Sequence, residues 1–348
     1  MKNLKFIVLI LIILIKTGNV LSAESIFTVN NIKIDKNAFK NKEELINLAF
    51  REGFEKLHKK ILLEKDFNKI KGTSLRNIKN LVSHYQIVVN EDEASEKFEL
   101  INLYFKRNNM YNFYVKNNIK YSDVSGKVLQ VLPVLLLEEK IFIYDNNFFY
   151  ENWLTNSKEK KIENIEYIFP IENLETIETI KKNQFNLNNV SLKDIFDDDT
   201  EKDKLFIIIN YEQKKTKFFI KGIISSKKII KNFDLTNNSE DIIEYSNILK
   251  FLKKEILELV KSQNIIDIGI PSFLNVNLSF NNQSDLFMFQ NILSEMDLIE
   301  NFNVQEFNNK YAFIKIKYFG KINKIKEKLI EKDIDINFIN NQWSARLK

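Results

Sequence analysis

Imidazole and thiol carry most proton transfer and nucleophilic attack near neutral pH, and this sequence almost lacks them: it has two His and no Cys. His58 lies one helical step from Phe54 and Leu57, which makes it a packed or half-exposed helix residue. His84 precedes a strand with Ser83 beside it, and neighbours in a strand face opposite ways. A triad would need a distant Asp that nothing in the sequence places. Without thiols, disulfides, thiolate zinc sites, a cysteine nucleophile and a lipidated cysteine are all excluded. The glycine-flanked serine of hydrolases and the His-Glu-x-x-His metal motif are absent, and 7 Gly leave no phosphate-cradling loop.

Carboxylates are plentiful but unordered. Asp197, Asp198 and Asp199, with Glu201 and Asp203, make the densest acidic run. A calcium loop needs acids at alternate positions, a glycine and a terminal glutamate, so this run reads as a solvated loop. The pairs Glu91/Glu93 and Glu138/Glu139 would have to face each other across a cleft, one with a raised pKa; both read as charged turns. The lysine-rich stretches 158–161, 227–228 and 321–328 lack the interleaved aromatics of a single-strand binder. With 52 basic and 47 acidic residues intermixed, the net charge of +5 describes a solvated surface and not a nucleic-acid face. No catalytic residue, cofactor site or metal ligand is assigned, and no cofactor is expected.

The elements that would position any site are clearer. Val128–Leu137 is a nearly continuous apolar run of ten residues. A bilayer span needs about twenty, so the run reads as a strand buried on both faces within an α/β sheet. Pro133 is expected at its end or at a bulge. Lys204–Tyr211 and Lys217–Ile224 predict a hairpin, with a third strand at Lys228–Asp234 and a long helix capped by Ser239. Trp153 is a packing anchor.

Residues 1–23 read as a signal peptide: Lys2 and Lys5, then the apolar run Phe6–Ile15, then a small-residue neighbourhood at Val20–Ala23. An uncleaved inner-membrane anchor is the alternative. Residues 24–122 form an N-terminal α+β domain, with a strand or two short strands around Asn30-Asn31 and a helix started by Asn41. Its pair of strands, 84–89 and 97–105, should lie under helices, since Phe98–Phe105 carries apolar residues on both faces. Residues 123–267 are the central α/β domain. Residues 268–348 run β-α-β-β-α-β, the ferredoxin-like split unit, its first helix capped by Ser284. The class is α/β to α+β in three small two-layer domains.

Three stretches carry a resemblance: "FTVNNIKID" with "NKEELINLAFREGFEKL", then "VLPVLLLEEKIFIYDNNFFYENW", then "KYFGKINKIKEKLIEKDIDIN" with a later Trp. Together they resemble the uncharacterised proteobacterial domain-of-unknown-function family two thousand and sixty-six, in which a Leu-Pro-Val segment, here Leu132-Pro133-Val134, precedes a Trp stretch, here Trp153. The resemblance implies an exported envelope protein with no assigned activity. The middle domain is distantly similar to the N-terminal α/β domain of the Tol-B periplasmic family. The expectation is a non-enzymatic periplasmic protein serving as a binding or assembly component, with another envelope protein as its partner, no nucleic acid, and peripheral membrane contact as an option. A hydrolase using Asp/Glu chemistry in an interdomain cleft is the alternative, and a lipid or peptidoglycan binder a third.

Overall fold

A computed structural model describes residues 25–36, 41–88, 97–154, 165–196, 202–212, 215–236, 244–339 and 341–348. The signal segment, residues 197–201, Glu91, Glu93, residues 158–161 and Ser239 lie outside them. The fold is α+β, built from several small sheets. The chain divides into two compact units, residues 1–57, 73–118 and 267–348 in the first and 58–72 with 119–266 in the second. The divisions fall after residues 118 and 266, and the stretches expected as separate first and last domains fall largely in one unit.

The first unit opens with β1 (Thr28–Asp35), α1 (Lys42–Ile61), α2 (Leu75–Leu81), β2 (Val82–Val88), β3 (Phe98–Phe105) and α3 (Arg107–Lys116). Asn41 Oδ1 accepts the Glu44 N–H at 2.8 Å, the expected cap of α1. The three strands are antiparallel in the order β1-β3-β2. Asn30-Asn31 is a bulge in one strand, not a turn between two: the register skips from Val29 to Ile32, and Asn31 adopts φ +54°. A Cβ on Gly53 of α1 would stand 2.6 Å from Leu103 and 2.7 Å from Ile32, so this helix lies directly on the sheet. Ile101, Leu103 and Phe105 are buried, whereas Leu100, Asn102 and Tyr104 stay half-exposed. Only one face of β3 is covered, against the expectation of two, because its other face carries polar Asn102 and Tyr104 among its apolar residues.

The second unit runs β4 (Tyr121–Ser122), β5 (Lys127–Leu137), β6 (Lys140–Phe142), α4 (Phe148–Asn152), β7 (Ile165–Ile168), α5 (Leu174–Lys182), β8 (Asp203–Glu212), β9 (Lys215–Ile224), β10 (Lys227–Thr236), α6 (Tyr245–Gln263) and β11 (Ile265–Ile266). The large sheet is ordered β10-β9-β8-β5-β6, with β7 also paired to β5. The apolar run is an interior strand, paired in parallel with β8 on one side and with β6 and β7 on the other. Leu129, Val131 and Leu135 pack with Leu205, Ile207 and Ile209 and with Ile248, Leu252 and Ile256 of α6. Leu132 and Val134 pack on the opposite face with Phe206, Ile208, Ile180 and Val190. Pro133 departs from expectation: it sits mid-strand opposite Ile207, not at an end or bulge. On the other side of β5, pairing with β7 stops at Gln130 and pairing with β6 starts at Leu135, leaving a gap beside the proline. The long helix starts at Tyr245, after Glu244 and not directly after Ser239. Residues 58–72 join this unit through the buried Lys261, whose ammonium donates to the carbonyls of Lys59 at 2.7 Å and Leu62 at 2.9 Å. It closes the C-terminal end of α1.

The chain ends with β12 (Ser272–Ser279), α7 (Gln283–Glu295), β13 (Ile299–Phe307), β14 (Tyr311–Tyr318), α8 (Ile322–Ile330), β15 (Ile334–Ile339) and β16 (Gln342–Leu347), in the first unit. Asn282, not Ser284, caps α7, in a reciprocal pair with Asp285. The sheet order is β13-β14-β12-β16-β15. In the split unit expected from sequence, β15 would lie beside β12. Instead β16 holds that place, parallel to β12, and β15 is its antiparallel edge partner. Trp343 and Ala345 of β16 lie opposite Val276 and Leu278. Alternate residues Leu274, Val276, Leu278, Ile314 and Ile316 are buried, as are Phe289 and Leu293 of α7 and Ile325 and Leu329 of α8.

Within the first unit the two chain segments meet at Asp297. Its carboxylate accepts the Ile26 N–H at 2.7 Å and the Ser25 hydroxyl at 3.1 Å. Its carbonyl accepts the Tyr111 hydroxyl, and the Arg107 guanidinium donates to Met296 O at 2.7 Å. These bonds join residues 25–26 and 107–111 to the C-terminal stretch within that unit.

Candidate functional site

Among the described residues, those with nominal chemistry do not form one cluster. His58 is buried. His84 stacks on Tyr104 at 4.3 Å, and its Nδ1 lies 3.3 Å from Ser83 Oγ; a register shift between Val82 and His84 lets the two neighbours meet. Glu138 and Glu139 form the left-handed turn between β5 and β6, with φ +48° and +66°. Trp153 is buried against Tyr167 and Phe169, its indole N–H without a partner. Among the described residues no group of three or more His, Asp or Glu could hold a metal ion.

One polar cluster was not foreseen, and it takes in Asp203, which is buried at a strand start and not part of a solvated acidic loop. Lys127 begins β5, Asp203 begins β8, and Ser225 sits in the two-residue turn between β9 and β10, where Ser225 and Ser226 adopt φ +50° and +64°. Lys127 Nζ donates to Asp203 Oδ2 at 3.1 Å and to Ser225 Oγ at 3.2 Å. A serine beside a lysine can serve as nucleophile and base. Here both partners are engaged: the ammonium is ion-paired with Asp203, and the Ser225 hydroxyl donates to Asn264 Oδ1 at 2.7 Å. Asp203 Oδ1 takes the Ser225 N–H at 2.6 Å. The cluster ties three strand ends to the C-cap of α6. It is a clasp.

The uncovered side of the C-terminal sheet is different. Strand alternation sends Phe273, Asn275, Asn277 and Ser279 of β12, and Tyr311, Phe313, Lys315 and Lys317 of β14, away from the helices. The register aligns them into rungs. One rung runs Glu306–Phe313–Asn277–Ser344–Asn337 across all five strands, a width of roughly 19 Å at the usual strand spacing. The next runs Tyr311–Ser279–Arg346–Asp335. At that end of the face lies a concavity of about 650 Å³, lined among others by Ser279, Asn309, Lys310, Asn337, Ser344 and Arg346. Phe273 is 57% exposed with the Lys315 ammonium 4.9 Å from its ring centre. Asn277 Oδ1 is enclosed and accepts no hydrogen bond, a cost of about 1–3 kcal/mol.

Charge on this face is nearly balanced. Lys317 pairs with Glu300 at 2.8 Å, and Arg346 faces Asp335 across the β15–β16 pair. The face is therefore aromatic and amide-rich with little net field. It can stack an apolar ring face and hydrogen-bond a polar rim; it holds no proton-transfer pair. The signal was present in the sequence as alternation, Phe273-x-Asn275-x-Asn277 and Tyr311-x-Phe313-x-Lys315, but alternation alone does not say which face lacks a cover. No family model matches the chain, and no curated protein and no solved structure matches it.

Proposed function

We propose that this protein is a non-enzymatic, exported component of the bacterial envelope that binds through the uncovered face of its C-terminal sheet. The observation that carries the reading is the contrast between two kinds of polar group. The Lys127–Asp203–Ser225 cluster is consumed inside the fold, whereas Phe273, Asn275, Ser279 and Asn337, on one side of the C-terminal sheet, are exposed. Export is supported by the basic start and ten-residue apolar run of the first 23 residues, and the family resemblance points the same way. A photo-reactive residue at position 313, irradiated with an envelope fraction, should give adducts that the same residue at position 323, on α8, does not. Equal labelling at both positions, or none at 313, contradicts the reading.

A further inference from the structure

We infer that β10 pairs edge to edge with β10 of a second copy of this chain, joining the two in an antiparallel dimer, independently of the binding face proposed above. An edge strand leaves a row of N–H and C=O groups unpaired, and folds blunt such rows with bulges or by keeping the strand short. Among the described residues every other sheet edge follows that rule. The pairing of β1 shifts between Val29 and Ile32, that of β2 between Val82 and His84, and that of β13 twice. β4, β6, β7, β11 and β15 have six residues or fewer. β10 pairs with β9 through ten consecutive residues without a shift, contains neither Gly nor Pro, and leaves Ile230 70% exposed. Lysines also blunt an edge, and β10 has three. The Lys231 ammonium is drawn to Glu255 of α6 at 2.9 Å, which leaves Lys227 and Lys228 at one end of the strand.

The sequence of the edge selects a second copy as its partner. The two-residue turn at Ser225 and Ser226 makes its flanking residues Ile224 and Lys227 a hydrogen-bonded pair. Alternation then turns the backbone groups of Lys228, Ile230, Asn232, Asp234 and Thr236 outward. A two-fold axis through the new edge sets only residues of equal parity opposite one another. Centred on Asn232, it pairs Asn232 with itself, Ile230 with Asp234 and Lys228 with Thr236, through about ten backbone hydrogen bonds. On the α6 side it sets Ile229 opposite Leu235 and Lys231 opposite Phe233, which continues the apolar layer that holds Ile229, Phe233 and Leu235. No like charges face each other, and Lys228 lies diagonally across from Asp234. An axis centred on Lys231 would instead oppose two lysines.

The chain has no Cys, so a single introduced thiol reports the pairing. Residues facing each other in a hydrogen-bonded antiparallel pair have Cα atoms about 5.5 Å apart, within disulfide reach. Asn232→Cys in the full mature chain should therefore oxidise to a covalent dimer, and Gln184→Cys, exposed beyond α5, should not. Sedimentation velocity of the same chain without substitutions, at about 1 to 100 µM, should show a dimer. Asn232→Lys opposes two like charges at the axis, and Asn232→Pro removes an outward N–H that β9 does not use. Each should weaken dimerisation at least about tenfold while circular dichroism keeps the parent's strand content, and Gln184→Lys should leave the dimer intact. A monomer throughout that range overturns the inference. So does a dimer indifferent to both Asn232 substitutions, or equal crosslinking by the two cysteine variants.

Discussion

Asn147 Nδ2 donates to the carbonyl oxygen of Pro133 at 2.8 Å, deep inside the second unit. In a strand, a residue's N–H and C=O point to the same side, so the N–H that proline lacks would have pointed into the same gap, between the end of β7 pairing and the start of β6 pairing. A side chain, not a strand, occupies that gap. Asn147 also donates to Phe142 O at 3.1 Å and Ile143 O at 2.9 Å, while its Oδ1 caps α4 by accepting the Phe149 N–H at 3.1 Å. Asn147→Ala should therefore cost at least about 2 kcal/mol in chemical denaturation, because several buried groups lose a partner at once. A loss under about 0.5 kcal/mol, the range of an ordinary surface change, contradicts this role.

Val134 is fully buried on the α5 side of β5. Val134→Asp places an unpaired charge there and should cost several kcal/mol against a total stability of roughly 5–15 kcal/mol. A melting temperature within a degree or two of the parent would mean that β5 is not buried on both faces.

The same strand shows how far the sequence could be read. Its length, its apolar continuity and the hairpin that follows it sufficed to name a strand buried on both faces, and the alternation of β12, β13 and β14 sufficed to place three of the five strands of the C-terminal sheet. What was not legible depended on partners remote in the chain. Lys261 and Asp297 look like any surface lysine or aspartate until residues 59–62 and 25–26 arrive beside them. The exchange of β15 for β16 beside β12 had the same cause: both strands alternate equally well, so pattern could not rank them.

Gly222 of β9 leaves no room for a side chain. A Cβ there would lie 2.2 Å from the Lys204 carbonyl oxygen and 2.5 Å from Leu205 Cδ2, so either the backbone of β8 or the strand itself would have to move. Gly222→Ala should destabilise by about 1–3 kcal/mol or more, read from urea midpoints at constant slope. An alanine variant as stable as the parent contradicts the close pairing of β8 and β9.

Burial pushes the Asp297 carboxyl above the ordinary carboxylate value, against the pull of the Ile26 N–H, the Ser25 hydroxyl, Arg107 and Lys328. Its folded pKa exceeds its unfolded one, so its stabilising contribution is full below the unfolded pKa and is lost as pH rises through the folded pKa. Asp297→Asn retains an acceptor for Ile26 and carries no titrating proton. Melts from about pH 3 to 7 should show the parent losing stability relative to this variant as pH rises. A difference that is flat, or that grows in the parent's favour, contradicts the assignment.

Hydroxyl-radical footprinting of the mature chain, with and without envelope material, tests the binding face most directly. The account predicts that Phe273, Tyr311 and Phe313 are protected while Phe185, 94% exposed in the second unit, is oxidised equally in both samples. Protection confined to the second unit, or turnover of an envelope substrate that disappears with Lys127→Ala, would contradict it.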